Sequence, residues 1–349
     1  MSSNGRPGRE PGAHATIEDV ARLAGVSRAT ASRVANNSPK VSPEARAAVT
    51  AAVAKLGYVP NRAARSLMTR RSDSIGVVIV EPAGSLFADP FFGRLLVGIS
   101  EALAARDIQL VLLMAQTARE EERVERYLEA GHVDGAILVG PHGNDPLPGR
   151  LERSGVPIVL SGRQLGDGTV SHVDSDNRGG ARMAVEHLVR RGRRSIATIH
   201  GMLDMSSGID RRQGYRDALH EAGMTQDPGL EAAGNYHPVT AADALRELLE
   251  RRPRIDAVFA ASDSMAAAAI RVLQESGRRV PEDVAVVGFD DSPVALTTRP
   301  ELSTVRQPIE VMGREMARLL LHRIEHPGEA PSQVVFATDL VVRESSGGA

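Results

Sequence analysis

At 349 residues, with 42% hydrophobic and 25% charged positions, the chain has the composition of a globular protein long enough for two or three domains. It has no cysteine, which excludes a disulfide framework, a thiolate metal site and a cysteine nucleophile, and no apolar run approaches the ~18 residues that span a bilayer. The net charge of −2 conceals a division: residues 1–71 carry 12 Lys+Arg against 4 Asp+Glu, a net of +8, and the remainder carries 30 against 40, a net of −10, so only the head suits a phosphate backbone.

Residues 1–14 are rich in Gly, Pro and Arg and lack the apolar core of a secretory signal, so they are expected to form a disordered arm of a cytoplasmic protein. TIEDVARLAGVSRATASRVAN, residues 16–36, predicts two short helices. Thr16 with Asp19 three residues on is an N-terminal cap, Val20, Leu23 and Ala24 repeat at helical spacing, and Gly25 supplies a left-handed turn. Ser27 caps the second helix, with Ala31 and Val34 inward and Arg28, Ala29 and Arg33 outward. Such a pair is a helix-turn-helix whose second helix fits the major groove. An ordinary helical hairpin has the same bare pattern, and the charge division is what favours DNA. A third helix follows, capped by Ser42, begun by Pro43 and Glu44, cored by Val49, Val53 and Leu56, and ended by Gly57. In VPNRAARSLMTRR, Asn61 caps a short helix surrounded by Arg62, Arg65, Arg70 and Arg71. A helix this short is marginal alone, so it should fold only when a DNA groove and a partner copy hold it; otherwise it is a charged linker.

From Ser74 the pattern changes to apolar, β-branched runs: IGVVIV, IQLVLLM, DGAILVG, VPIVLSG, RSIATIH, DAVFAAS and DVAVVGF. Helical patterns at 91–105, 120–130, 179–191, 208–222, 241–251 and 265–277 lie between them. Strand–helix alternation predicts two doubly wound parallel-sheet subdomains, with a ligand cleft beyond the carboxyl ends of the strands.

The ordered series TIEDVARLAGVS, SRVANN, LGYVPNRAARSL, IGVV, VDSDNRGGARMAVEHLVRRGRRSIA, RRQGY, FAASDSMAAAAI, PEDVAVVGFDD and LSTVRQP resembles the lactose/galactose repressor (LacI/GalR) family of bacterial transcription regulators along nearly the whole chain. The resemblance implies a multidomain protein: a small all-α helix-turn-helix head and an α/β periplasmic-binding-protein-like core. The boundaries expected are an arm at 1–14, the head at 15–59, a hinge helix and linker at 60–72, the core at 73–343 and a tail at 344–349. Within the core, subdomain one is about 73–174 plus 308–333, and subdomain two about 175–307 plus 334–343. It implies a homodimer on a pseudo-palindromic double-stranded operator, and, as no heptad tail follows RESSGGA, a dimer rather than a tetramer.

Carried over by position, Arg28 and Ala29 choose bases, Arg33 is the base-reading arginine, and Ser27, Thr30 and Asn36 anchor phosphates; Thr16, Asn61 and Arg62 complete the DNA-binding set. Leu67 matches the hinge leucine wedged into the central minor groove. The effector set is Phe91, Arg211 of RRQGY, Tyr236, Ser262 and Asp263 of FAASD, and Asp290 after VVGF, with Phe92 a core residue. Fixed donors and acceptors with an aromatic face suit a sugar. Two departures leave the effector open among an unusual sugar, a sugar acid, a phosphate or another molecule: Gly162 stands where many sugar-responsive members have an aspartate, and Ser262 where an asparagine is common. The reading is a ligand-responsive repressor, with a corepressor-dependent regulator answering to a nucleobase as the alternative.

No G-x-S-x-G, G-x-G-x-x-G or P-loop occurs, and the ten histidines are read as showing neither H-E-x-x-H nor paired metal spacing. No enzyme activity, cofactor, metal or membrane association is expected. The pair Asp290–Asp291 is read as a ligand acid followed by a surface acid rather than an acid–base pair. A transporter's solute-binding protein is the remote rival, but it needs a secretory signal and no basic head.

Overall fold

The computed structural model describes residues 15–35, 40–58, 71–80, 89–143, 145–166 and 170–348, in two compact units, Met1–Ser72 and Asp73–Ala349. The described residues of the first form three helices: α1 (Ile17–Ala24), α2 (Arg28–Ala35) and α3 (Pro43–Leu56). Thr16 and Asp19 form a reciprocal capping box, the Asp19 amide donating to Thr16 Oγ1 at 3.3 Å and the Thr16 amide to Asp19 Oδ2 at 3.1 Å. Gly25 turns the chain at φ 65°, a conformation that a side chain would strain. Val20, Ala21, Ala31, Val34, Val49 and Ala52 form the buried core. Leu23, expected to face inward, is 44% exposed. At 100° per residue it lies about 110° from the centre of the face made by Ile17, Val20, Ala21 and Ala24.

The second unit contains two six-stranded sheets. The strands of the first are β1 (Ser74–Ile79), β2 (Gln109–Met114), β3 (Gly135–Val139), β4 (Ile158–Ser161), β5 (His172–Ser175) and β11 (Gln333–Phe336), all parallel in the order β2-β1-β3-β4-β5-β11. The second comprises β6 (Ile196–His200), β7 (Glu231–Ala233), β8 (Ala257–Ala260), β9 (Ala285–Asp290), β10 (Ser303–Arg306) and β12 (Asp339–Val341) in the order β7-β6-β8-β9-β10-β12, with β12 antiparallel. The crossovers are α4 (Pro90–Ala104), α5 (Ala118–Glu129), α6 (Leu147–Arg153), α7 (Asn177–Arg190), α8 (Ser206–Glu221), α9 (Pro238–Arg251), α10 (Asp263–Glu275) and α11 (Ile309–Glu325). Both sheets repeat one winding, so each has a switch point where the crossovers diverge, the place where such sheets bind ligands.

The seven apolar runs became β1 to β4, β6, β8 and β9. Sequence reading passed over the short, half-polar β5, β7, β10, β11 and β12, and also α6 and α11. The chain passes between lobes three times, at Asp176, at Gln307–Pro308 and after Phe336. That last passage lies beyond the boundary expected at 333, because β11 pairs with β5 as far as Phe336 opposite Ser175. Residues 344–348, expected as a tail, are built into the second lobe: Ser345 is buried, donates through Oγ to the Val286 carbonyl at 2.7 Å and accepts from the Ser303 amide at 2.8 Å. Among the described residues no helix is long and apolar enough to cross a membrane.

Candidate functional site

Two surfaces carry the chemistry. In the head, Ser27, Arg28, Ala29 and Arg33 lie exposed along α2, while Ala31 and Val34 hold its other side in the core. Ser27 accepts from the Thr30 amide at 3.1 Å, and the two hydroxyls lie 2.9 Å apart at the helix start. Arg28 Nε meets Glu18 Oε1 of α1 at 2.6 Å, an exposed pair worth about 0–1 kcal/mol that DNA phosphates can replace. Thr16 is the α1 cap. Asn36, Asn61, Arg62, Leu67 and the hinge helix lie outside the described residues.

In the body, strand ends of both lobes line a cleft with about 870 Å³ of atom-free space, its open mouth included. Phe91, Arg211, Tyr236 and Asp290 all line it, and Phe92 of the core reaches it as well. Met202, Met205 and Met312 add adaptable apolar wall. Arg211 is 5% exposed and held in place: Nε donates to Asn177 Oδ1 at 2.8 Å, Nη1 to the Ala261 carbonyl at 2.6 Å, and the guanidinium lies 3.6 Å from the centre of the Phe289 ring. Its Nη1 is 3.6 Å from Asp290 Oδ1. Asp290 ends β9 at φ 114°, a conformation that costs roughly 1–3 kcal/mol outside glycine and marks functional sites. Burial pushes its carboxyl well above the ordinary value against the pull of Arg211, and Asp263 behind it pushes the same way. Tyr236 Oη lies 2.9 Å from Ser207 Oγ, fixing the ring at the cavity wall.

Ser262 and Asp263 do not reach the cavity, which corrects the sequence reading. Ser262 is buried as the cap of α10, accepting from the Met265 amide at 3.3 Å. Asp263 points back into the second lobe, where it accepts from the Ser292 amide and the Thr304 hydroxyl. Burial raises its carboxyl to about 7. A carboxyl held above its unfolded value adds stability that is complete below about 4 and is lost as pH rises through that raised value. Between about pH 5 and pH 7.5 the wild-type melting temperature should therefore fall more steeply than that of Asp263→Asn. Parallel profiles in circular-dichroism melts would refute the buried acid.

Residues given no role in the sequence complete the site. Asp174 and Ser175 at the end of β5, Asn177 at the start of α7, and Gln307 all line the cavity. Asp174 Oδ1 accepts from the Ser175 amide and from Asn177 Nδ2, both at 2.8 Å. Asn177 accepts from Arg211, which faces Asp290. Asp290 accepts from Gln307 Nε2 at 2.6 Å, and Gln307 Oε1 accepts from Ser175 Oγ at 2.8 Å. The ring Asp174–Asn177–Arg211–Asp290–Gln307–Ser175 thus closes on itself through two of the three passages between lobes. VDSDN and VRQP displayed these residues, but only the closed ring reveals their use. Gly162, where an aspartate was missed, has φ 86°, and a Cβ there would stand 4.0 Å from Asp174 Oδ2. A carboxylate therefore reaches this corner from the next strand.

The lobes also meet across the mouth. His142 Nδ1 lies 3.0 Å from Asp204 Oδ2, and Arg163 Nη2 donates to Asp210 Oδ1 at 2.6 Å. Arg94 of α4, held by Glu310, donates to the carbonyls of Asp290 and Asp291 at 3.1 and 3.3 Å. Elsewhere, His322 in the last turn of α11 and His326 just past its end stand beside Glu329, a paired spacing given no role in the sequence.

Residues 16–61 match the model of the bacterial regulatory proteins, lacI family, and residues 185–346 that of the periplasmic binding protein-like domain. The chain is 52% identical over 332 residues to the HTH-type transcriptional regulator CelR of Thermobifida fusca, covering 95% of this chain and 98% of that one. It is 34% identical over 336 residues to the ribose operon repressor of Escherichia coli K12, covering 95% and 100%. Among solved structures, a CelR–cellobiose complex matches with a TM-score of 0.77 at 50% identity over 95% of this chain and all of that one. The lac repressor dimer bound to operator and an anti-inducer matches at 0.83 and 27% identity, over 96% and 99%.

Proposed function

Because the chain belongs to the lacI family of bacterial regulatory proteins, and so is a DNA-binding transcription regulator, we propose that it is a repressor released from its operator by a neutral disaccharide of the cellobiose type. The observation that carries this reading is the ring of hydrogen bonds closed by the Arg211–Asp290 ion pair. A sugar hydroxyl that bonds Arg211, Asp290 or Asp174 pulls on side chains anchored in the passages between lobes, so occupancy of the cleft biases how the lobes stand to one another. Among the described residues the wall supplies three carboxyl groups, Asp89, Asp174 and Asp290, against the single guanidinium of Arg211. That balance disfavours sugar acids and phosphates and leaves a neutral polyol. Asp174 takes the acceptor role absent at Gly162, and Phe91 and Tyr236 cover apolar sugar faces. The relative crystallised with cellobiose supports that class of ligand.

On DNA, each head of a homodimer lays α2 in the major groove of one half-site. Arg28, Ala29 and Arg33 read bases, and Thr16, Ser27, Thr30 and Asn36 hold phosphates. Asn61, Arg62 and Leu67 form the hinge. No residue is assigned a catalytic role. An exposed edge supports the dimer: β2 ends its sheet with Leu112 39% exposed, and Val97 of the neighbouring α4 is 52% exposed. Val97→Glu combined with Leu112→Lys should shift the protein to monomers and weaken operator binding; an unchanged elution volume in size-exclusion chromatography would place the interface elsewhere.

The deciding experiment titrates cellobiose into a complex of the protein with an operator selected from random duplexes, read by fluorescence anisotropy. Release is the expected result, with glucose 6-phosphate inert. Tighter binding would mean corepression, and no response at saturation would overturn the ligand class.

A further inference from the structure

We propose that the carboxyl end of α11 holds a binding site for one divalent late-transition-metal ion, formed by His322, His326 and Glu329. The candidate donor atoms of the three side chains lie within 4.8 Å of one another. A small rotation of these solvent-facing groups brings them to the ~2.0–2.2 Å bonds of a zinc-type ion.

The local chain prepares this arrangement. His322 lies in the last turn of α11 and His326 is the residue that ends it, and their ring centres stand 4.4 Å apart with planes inclined by 32°. His326 Nδ1 lies 3.1 Å from the His322 carbonyl oxygen. A carbonyl only accepts, so Nδ1 carries the proton and Nε2 presents its lone pair outward, the orientation that such backing bonds impose on metal-ligating histidines. The turn after the helix returns Glu329 to the same place, where its Oε2 meets His322 Nε2 at 2.8 Å. An ion entering there replaces a proton shared between two donors. The helix terminus adds partial negative charge, which favours a cation. Two imidazoles and one carboxylate suit Zn²⁺, Ni²⁺ or Cu²⁺ and not Mg²⁺, and water is left to complete the shell. The ion ties residues 326–329 to α11, and none of its three ligands lines the cleft, so it is independent of the effector assignment.

The test is calorimetric titration of the full-length chain, without a histidine tag and freed of chelators, with ZnCl₂. One ion per chain is expected, and an excess of MgCl₂ should not displace it. His322→Ala and His326→Ala should each weaken binding by about tenfold or more, with Glu329→Gln milder. In the Cu²⁺ form, electron paramagnetic resonance should show two nitrogen ligands in the wild type and one in either histidine variant. Unchanged affinity in the His322→Ala/His326→Ala double variant, or no stoichiometric binding by the wild type, would overturn the site. Thermal melts in EDTA establish that the variants are folded.

Discussion

Asp290→Ala should raise the dissociation constant for the sugar about 100-fold while the unliganded protein keeps its operator affinity. A hydrogen bond to a charged partner is worth about 1.5–3 kcal/mol, and 2.7 kcal/mol corresponds to about 100-fold in affinity. Asp290 offers one such contact directly, and it also holds Gln307 in place. Burial raises this carboxyl well above its ordinary value, and either of its forms offers a sugar hydroxyl a partner: the carboxylate accepts, and the acid also donates. Alanine provides neither. The φ of 114° is set by the end of β9, and alanine inherits the strain without the use. Calorimetry with cellobiose, paired with anisotropy on operator DNA, separates the two functions. Normal sugar affinity would show that the ligand sits elsewhere in the cleft, and lost DNA binding would mean that Asp290 holds the body together rather than the sugar.

The contacts at the mouth explain how a ligand of modest size biases the whole body. His142–Asp204, Arg163–Asp210 and the Arg94 clamp hold the lobes together from outside the ligand volume. Inside, Asp176 accepts at its carbonyl from the Thr338 hydroxyl at 3.4 Å and its amide donates to the Phe336 carbonyl at 2.8 Å, linking the first passage to the third. Gln307 links the first to the second. Hydrogen bonds therefore tie the three passages to one another. A ligand that favours one lobe arrangement by 1–3 kcal/mol changes operator affinity by roughly 5–150-fold, and operator must change sugar affinity by the same factor.

The sequence displayed most of the scaffold and part of the site. The capping box at Thr16, the turn at Gly25 and the inward Ala31 and Val34 follow from local rules, and the strands buried on both faces follow from continuous apolar runs. β5 and β10 escaped notice because HVDS and STVR are half polar: Ser175 bonds Gln307 across the lobes, and Ser303 and Thr304 bond within the second lobe. α11 begins after Pro308 with no side-chain cap, which removed its start signal although its apolar spacing was present. Asp290 stands out as a charge that ends an apolar strand, and Arg211 through the RRQGY pattern of the family resemblance. Asn177, Gln307 and Asp174 do not, since an uncharged amide or a second acid acquires meaning only from a partner up to 132 residues away, as in Ser175 to Gln307. Ser262 and Asp263 misled for a related reason: position at a strand end does not tell whether a side chain turns to the ligand or back to cap a helix.

In the head, Arg33→Ala should cost the selected operator about 1–3 kcal/mol, or roughly 5–150-fold, while a scrambled duplex loses far less. Arg33 is exposed and contributes nothing to the core of Val20, Ala31 and Val49, so the melting temperature of the head should stay unchanged. A guanidinium grips guanine with two bonds, and that discrimination disappears with the side chain, whereas loss of a phosphate contact would weaken every duplex alike and flatten the salt dependence. Anisotropy on both duplexes at one salt concentration distinguishes the two roles. Equal losses would make Arg33 a phosphate anchor. Arg28 is the internal comparison: tied to Glu18 at 2.6 Å, it must leave that partner to reach a base. Glu18→Gln should therefore tighten binding to every sequence, and most to the operator whose base Arg28 reads.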